Sequence, residues 1–334
     1  MPATIIITAH MLPTSSTSPL PGTAEPSAAA PVVTALDAFS RYYDDVLLPM
    51  WLGPGWNAQA GLCYEALVAK DGAVVPASTE RYRAMACARQ LYTFARATQL
   101  SARHRDLCGE RAAALCHALD TRFRDTIHGG WLFSIDSALA PQDTTKDLYT
   151  HAFVLFAAAH WLAVSEDPRA AALMHDAHEV IAHRFARAGA VSLPVAAMDA
   201  SFATTLAGVA QNPVMHLTEA YLAAAALDEP PAWAEAGVHT LAEGILARFI
   251  DTRTGSIAEL PVDEACADNR IGVSLGHHLA LRYDNLAGLR IYDIVNREAA
   301  EQTLAQGRVA GAGAAQGHGF ARLCGSELQR ALAL

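Results

Sequence analysis

From Thr34 onward, apolar residues recur every three or four positions, the period of helices that each bury one face. The runs "ALDAFSRYYDDVLLPMW", "ERYRAMACARQLYTFARATQL" and "RDLCGERAAALCHALDTRF" come first. "DLYTHAFVLFAAAHWLAV", "RAAALMHDAHEVIAHRFA", "MHLTEAYLAAAAL" and "WAEAGVHTLAEGILARFI" follow. Alanine is abundant inside them, which favours helix and lets neighbouring helices approach closely. Four short segments break the rule: "AGLCYEALVAKDGAVVP" near Gly61, "HGGWLFSIDSALAP" near Gly129, "AGAVSLPVAAMDA" near Gly189 and "TGSIAELPVDEA" near Gly255. Each follows a helix end, opens on glycine, alternates apolar residues and turns before the next helix, as a small β-hairpin would. Their spacing is roughly 60 to 68 residues, room for two helices and a hairpin per unit. Such units either stack as an open solenoid or close into a ring. A closed ring has inner and outer helices, a central funnel and all its hairpins on one rim. The inner-helix starts then face the funnel mouth, and they carry Arg83 to Arg89, Lys146 to Tyr149 and His216.

Composition narrows the picture. Residues 1–33, with "MLPTSSTSPLPGTAEPSAAAPVV", are rich in Pro, Ser, Thr and Ala and are expected to be a disordered leader. The opening "TIIIT" lacks the basic flank and cleavage site of a secretory signal. Residues 34–334 read as a single barrel domain, with an atypical segment from about 281. The longest apolar run, around "AFVLFAAAHWLAV", is far shorter than a membrane span and predicts a buried helix. A net charge of −10 supplies no basic stripe for phosphates, so no nucleic-acid partner is expected. Six cysteines lie scattered at 63, 87, 108, 116, 266 and 324 without metal-ligand spacing. Cys108 and Cys116 fit small buried hydrophobes, and the whole set fits a reducing cytoplasm. No metal or other cofactor is expected. His151 and His160, on one apolar helix, read as core and surface rather than ligands.

"QNPVMHLTEA" places His216 and Glu219 one helical step apart. As a lone pair, they are more often a polar patch where a helix enters a core. As chemistry, a carboxylate at i+3 fixes the tautomer of an imidazole whose ordinary pKa suits proton transfer.

Two blocks, "HGGWLFSIDSALAPQDTTKDLYTHAFVLFAAAHW" and "QNPVMHLTEAYLAAA", resemble the N-acylglucosamine 2-epimerase family, which includes mannose isomerase and related aldose–ketose isomerases. The resemblance rests on Gly129, Gly130, Trp131, Lys146, Tyr149, Ala152 and Phe153, on Asn212, Met215, His216, Glu219 and Ala220, and on Arg89 in "RAMACARQLYTFA". It covers about residues 36 to 280 and implies an all-α fold, the (α/α)6 barrel. It also implies removal of the proton α to an open-chain carbonyl. His277 would be the main acid/base at C2, with His216 assisting ring opening or proton relay and Glu219 orienting it. Arg89 would bind the O1/O2 region, and Asn212 and Trp131 would hold hydroxyls and the apolar sugar face. Lys146 and Tyr149 read as structural.

The C-terminal part departs from the family pattern. Gly276 and His277 are kept in "VSLGHHLALRYDNLAG", but Leu275 stands for a proline and Ala280 for a glutamate. Six units would need roughly 360 to 390 residues, whereas 301 run from Thr34, and His318 is the only late histidine available as a catalytic partner. The expected function is a cytoplasmic sugar isomerase or epimerase acting on a monosaccharide, of the mannose–fructose type by the likeness of "MHLTEA" to that branch. No membrane partner is expected, and a homodimer is allowed. A degenerate, non-catalytic member is one alternative. A glycoside hydrolase on the same toroid, drawing carboxylates from Asp136, Asp143 and Glu219, is another.

Overall fold

The computed structural model describes residues 37–77, 81–186, 193–251, 256–258 and 260–262. Two compact units divide at Tyr43. Residues 37–43 of the first are helical, and Phe39 stacks on Tyr43 with 6.5 Å between ring centroids. The second unit carries everything that follows. The leader expected over 1–33 and the segment expected to be atypical from about 281 lie outside the described residues.

A short helix α1 (Leu48–Leu52) precedes three helical hairpins: α2 (Ala84–Leu100) with α3 (Arg105–Thr121), α4 (Leu148–Leu162) with α5 (Pro168–Val180), and α6 (Gln211–Ala225) with α7 (Ala232–Phe249). Helices α2, α4 and α6 lie side by side with α4 in the middle, and α3, α5 and α7 back them. The inner three start at Ala84, Leu148 and Gln211, 64 and 63 residues apart. This is the repeat that the sequence predicts.

The environment of α4 explains its composition. It packs against α2, α6 and α5, so most of its circumference is inside, and a helix apolar nearly all round is the kind that tolerates this. Ala152, Ala157, Ala158 and Ala159 of α4, Ala84, Ala88 and Ala95 of α2 and Ala220 and Ala224 of α6 are all buried. Small side chains there let the backbones close up, while Val154, Leu155 and Leu148 fill the gaps, each contributing about 1.5–3 kcal/mol by burial. The helix starts sharply because Asp147 Oδ2 accepts the Thr150 N–H at 3.0 Å.

Short strands occupy the rim. β1 (Trp56–Asn57) pairs with β2 (Leu62–Cys63), and β3 (Leu67–Lys70) with β4 (Ala73–Pro76). Asp71 and Gly72, both at positive φ, form the two-residue turn between the latter two, which suits a twisted hairpin. β5 (Arg81–Arg83) leads into α2 and pairs with β6 (Ser134–Asp136), itself paired with β7 (Pro141–Asp143). β8 (Lys146–Asp147) leads into α4 and pairs with β9 (Ala197–Met198), then β10 (Thr205–Ala207). Each three-stranded sheet therefore ties an inner-helix start to the hairpin that follows its own outer helix. β11 (Ile250–Asp251) and β12 (Ser256–Ile257) form the last described hairpin, so all four expected hairpins are present.

Cys63, Cys87, Cys108 and Cys116 are free and buried, and burial pushes the Cys63 and Cys116 thiols up to about 12. They pack as small hydrophobes. Among the described residues, no helix is long and apolar enough to cross a membrane, and no three His, Cys, Asp or Glu side chains converge as metal ligands.

Candidate active site

The equal spacing of the inner helices puts three residues in register. Arg89, Phe153 and His216 are each the sixth residue of α2, α4 and α6. The second residues are Met85, Tyr149 and Asn212, and the ninth are Tyr92, Phe156 and Glu219. Positions two, six and nine fall on one helical face. On α4, Tyr149 and Phe156 stand half-exposed amid buried residues, and on α6 Asn212, His216 and Glu219 do the same. The stripes touch across the helix boundaries. Tyr149 meets the His216 ring edge-on at 4.8 Å, and Phe153 meets it at 4.8 Å with a 44° tilt. The Arg89 guanidinium lies over the Phe153 ring at 5.2 Å. Tyr92 packs on Phe156 and on His160, each at 4.7 Å.

His216 Nδ1 and Glu219 Oε2 are 2.6 Å apart, with the side chains 17% and 26% exposed. An ionised carboxylate only accepts, so Nδ1 carries the hydrogen, and Nε2 is left as the nitrogen that takes or delivers a proton. The pair is thus oriented but still reachable. Tyr149 borders both of the opposite charges nearby. Burial pushes its phenol above its ordinary value, the Arg89 cation draws it down and the Glu219 carboxylate raises it. Asn212 is half-buried, and its Oδ1 is buried without a hydrogen-bond partner. Such an acceptor calls for a donor. Arg89, Asn212, His216 and Glu219 are therefore brought together on one wall. Phe153, Phe156 and Tyr92 join them, and Tyr149, expected to be structural, stands in the wall as well.

Trp131 is placed elsewhere. Its side chain is fully buried, the indole N–H donates to the Leu119 carbonyl at 2.9 Å, and the Arg124 guanidinium covers the ring at 4.6 Å. No face remains for a sugar to stack on. The two preceding glycines explain the local geometry. Gly129 and Gly130 both adopt positive φ, and a Cβ on Gly130 would lie 2.6 Å from His151 Nε2. That close approach lets the Trp131 backbone N–H donate to His151 Nε2 at 3.2 Å, while His151 Nδ1 donates to the Asp147 carbonyl at 2.8 Å. With one nitrogen accepting and the other donating, His151 is neutral, and burial lowers its pKa to about 3. Beside it, Lys146 and Asp125 form a buried ion pair at 2.6 Å, and Asp125 Oδ1 also accepts the N–H groups of Ile127 and His128. The glycine–tryptophan and lysine motifs thus tie the hairpin to the start of α4.

Arg83 is committed to Glu65, to which it donates at 2.7 Å. Asp136 and Asp143 cap their own hairpin, accepting from the backbone N–H groups of Ala138, Ala140 and Thr145. His277, Gly276 and His318 lie outside the described residues.

Residues 64–269 match the family described as N-acylglucosamine 2-epimerase (GlcNAc 2-epimerase). A D-mannose isomerase from Thermobifida fusca is 36% identical over 118 residues, which is 35% of this chain and 28% of that protein, well under two thirds of its length. Among solved structures, the cellobiose 2-epimerase from Spirochaeta thermophila superposes with a TM-score of 0.72 at 19% identity, covering 85% of this chain and 72% of that one. A D-mannose isomerase structure gives 0.67 at 15% identity, covering 86% and 71%. These likenesses establish the (α/α)6 barrel fold. The chain belongs to the N-acylglucosamine 2-epimerase family.

Proposed function

We propose that this protein interconverts an aldose with its ketose or C2 epimer by proton transfer through an enediol, and that mannose–fructose isomerisation is its leading reaction. The observation that carries the reading is the wall itself. A carboxylate-oriented imidazole stands against an aromatic surface, with a guanidinium across it. Abstraction of a proton α to a carbonyl needs a base near neutrality, a second proton-handling group and donors for the developing enediolate oxygens. His216 Nε2 is the proton-transfer atom on this wall, and Glu219 holds its tautomer. Arg89 polarises the carbonyl region, and Asn212 Oδ1 accepts from a substrate hydroxyl. The half-exposed Tyr149 and Phe156 rings take the apolar sugar face, the role first expected of Trp131. His277 is the main acid/base at C2 in this reading, and His216 assists ring opening or proton relay. The chemistry calls on no redox group or metal, and the substrate is a monosaccharide. The preference for mannose rests on the likeness to the Thermobifida fusca D-mannose isomerase and on "MHLTEA".

The test is C2–H exchange in D2O, followed by NMR with mannose, fructose, glucose and N-acetylmannosamine in turn. Exchange with an aldose, abolished in His277→Ala, is the expected result, with mannose fastest. A folded protein that exchanges none of them is a degenerate, non-catalytic member. Release of a monosaccharide from an oligosaccharide would make it a hydrolase instead.

A further inference from the structure

We infer that Phe153 is a positioning residue, its ring keeping the Arg89 guanidinium off Glu219 so that cation and carboxylate stay separately available. The catalytic consequence rests on the proton-transfer reading above, but the spacing role does not. Phe153 is the sixth residue of the middle helix, flanked in register by Arg89 on α2 and His216 on α6. It is almost fully buried, so its position is set by packing, yet its ring reaches both neighbours. The guanidinium carbon lies 5.2 Å from the ring centroid, and the imidazole centroid lies 4.8 Å away. Tyr149 lies 5.0 Å from Phe153 and 4.8 Å from His216, whose Nδ1 is bonded to Glu219, so the two rings adjoin the acid–base pair. Arg89 and Glu219 are nevertheless not ion-paired. Glu219 is bonded to His216, and Arg89 rests on the aromatic face.

The balance between the two arrangements is close. For the exposed Arg89 guanidinium, resting on a ring and pairing with a partly exposed glutamate are of comparable strength. Without the ring, the carboxylate becomes the better partner. Glu219 would then be shared between Arg89 and His216, and the cation would be withdrawn from substrate oxygens. Phe153 thereby links one repeat unit's cation to another's acid–base pair.

The test compares full-length Phe153→Leu and Phe153→Met, two ring-less variants of similar bulk, with Phe153→Tyr, which keeps the ring. Crystal structures of the ring-less variants should show Arg89 ion-paired with Glu219, and Phe153→Tyr should keep the wild-type arrangement. A double-mutant cycle on melting temperature, using Arg89→Ala and Glu219→Ala, should be additive with Phe153 present and coupled with leucine in its place. In the exchange assay, kcat should fall and KM rise in the ring-less variants, about 10- to 100-fold together in kcat/KM, with Phe153→Tyr restoring both. An unmoved Arg89 in the ring-less structures, or an additive cycle with leucine at 153, overturns the inference. If the wild type exchanges no sugar, the proton-transfer reading fails, while the structures and the cycle still decide the role of Phe153.

Discussion

His216 and Lys146 are both held by a carboxylate, yet the two pairs differ in what their loss should do. The His216–Glu219 pair is partly exposed, so solvent screens it and its removal should cost little stability. In the proposed proton transfer its role is orientation. Glu219→Ala should lower the exchange kcat by about 10- to 100-fold, and His216→Gln by about 10²–10⁴-fold, with melting temperatures near wild type. The Lys146–Asp125 pair is wholly inside, and there the order reverses. Desolvation already pulls the Lys146 pKa down against the raising influence of Asp125. Lys146→Met strands a buried carboxylate and should destabilise the fold by about 3–5 kcal/mol. The double change to Lys146→Met with Asp125→Asn should recover part of that, read by urea denaturation. A Lys146→Met protein as stable as wild type would mean the pair contributes nothing.

At the scale of the element, the hairpin opening at Gly129 separates two uses of glycine. Both Gly129 and Gly130 need the left-handed region, which penalises any side chain by about 1–2 kcal/mol. Around Gly129 nothing lies within 4 Å, so Gly129→Ala should cost only that. At Gly130 the added methyl meets His151 Nε2, Phe202 and Val180, and overpacking adds about 1–3 kcal/mol more. Thermal melts of the two variants should show Gly130→Ala clearly the worse. The same hairpin shows what the sequence could and could not reveal. Glycine-led β segments between alanine-rich helices were visible, because turn chemistry and helical period are local signals. Arg89, Asn212, His216 and Glu219 were reachable through helix-start positions and the family resemblance. The family motif names Phe153 and Tyr149, but their roles are obscured because α4 is apolar nearly all round and its period does not mark one face as special. Aligning the three inner helices at Ala84, Leu148 and Gln211 would have exposed the shared position. Trp131 misled for the opposite reason. A tryptophan on a rim hairpin looks available, and only its contacts with Leu119 and His151 show that it is core.

At the scale of the whole molecule, three described histidines, His151 buried and His160 and His178 half-buried, sit where helices join. His151 of α4 is held by Asp147 and Trp131, His160 of α4 packs on Tyr92 of α2 at 4.7 Å, and His178 of α5 stacks on Trp233 of α7 at 4.1 Å. Burial lowers all three pKa values, to about 3 for His151 and about 4 for His160. An unfolded chain binds these protons near pH 6.5, the folded one does not, so protonation favours unfolding. Stability is therefore fully present above about pH 6.5 and falls as pH drops toward 4, by up to ~1.4 kcal/mol per pH unit for each such group. Asp147 opposes this, since burial raises its pKa and the folded state takes its proton earlier, but it is one group against three. Asp125 and Asp167, both lowered by their cationic partners, add to the loss only as pH falls below about 4. Urea denaturation at pH 7.5, 6.5, 5.5 and 4.5 should thus give a flat upper limb and a steep lower one. His160→Phe keeps the aromatic contacts with Tyr92 and Phe156 but removes a titrating site. Its lower limb should be shallower by close to one proton, and a limb of unchanged slope would show that His160 is not held neutral at the α2–α4 junction.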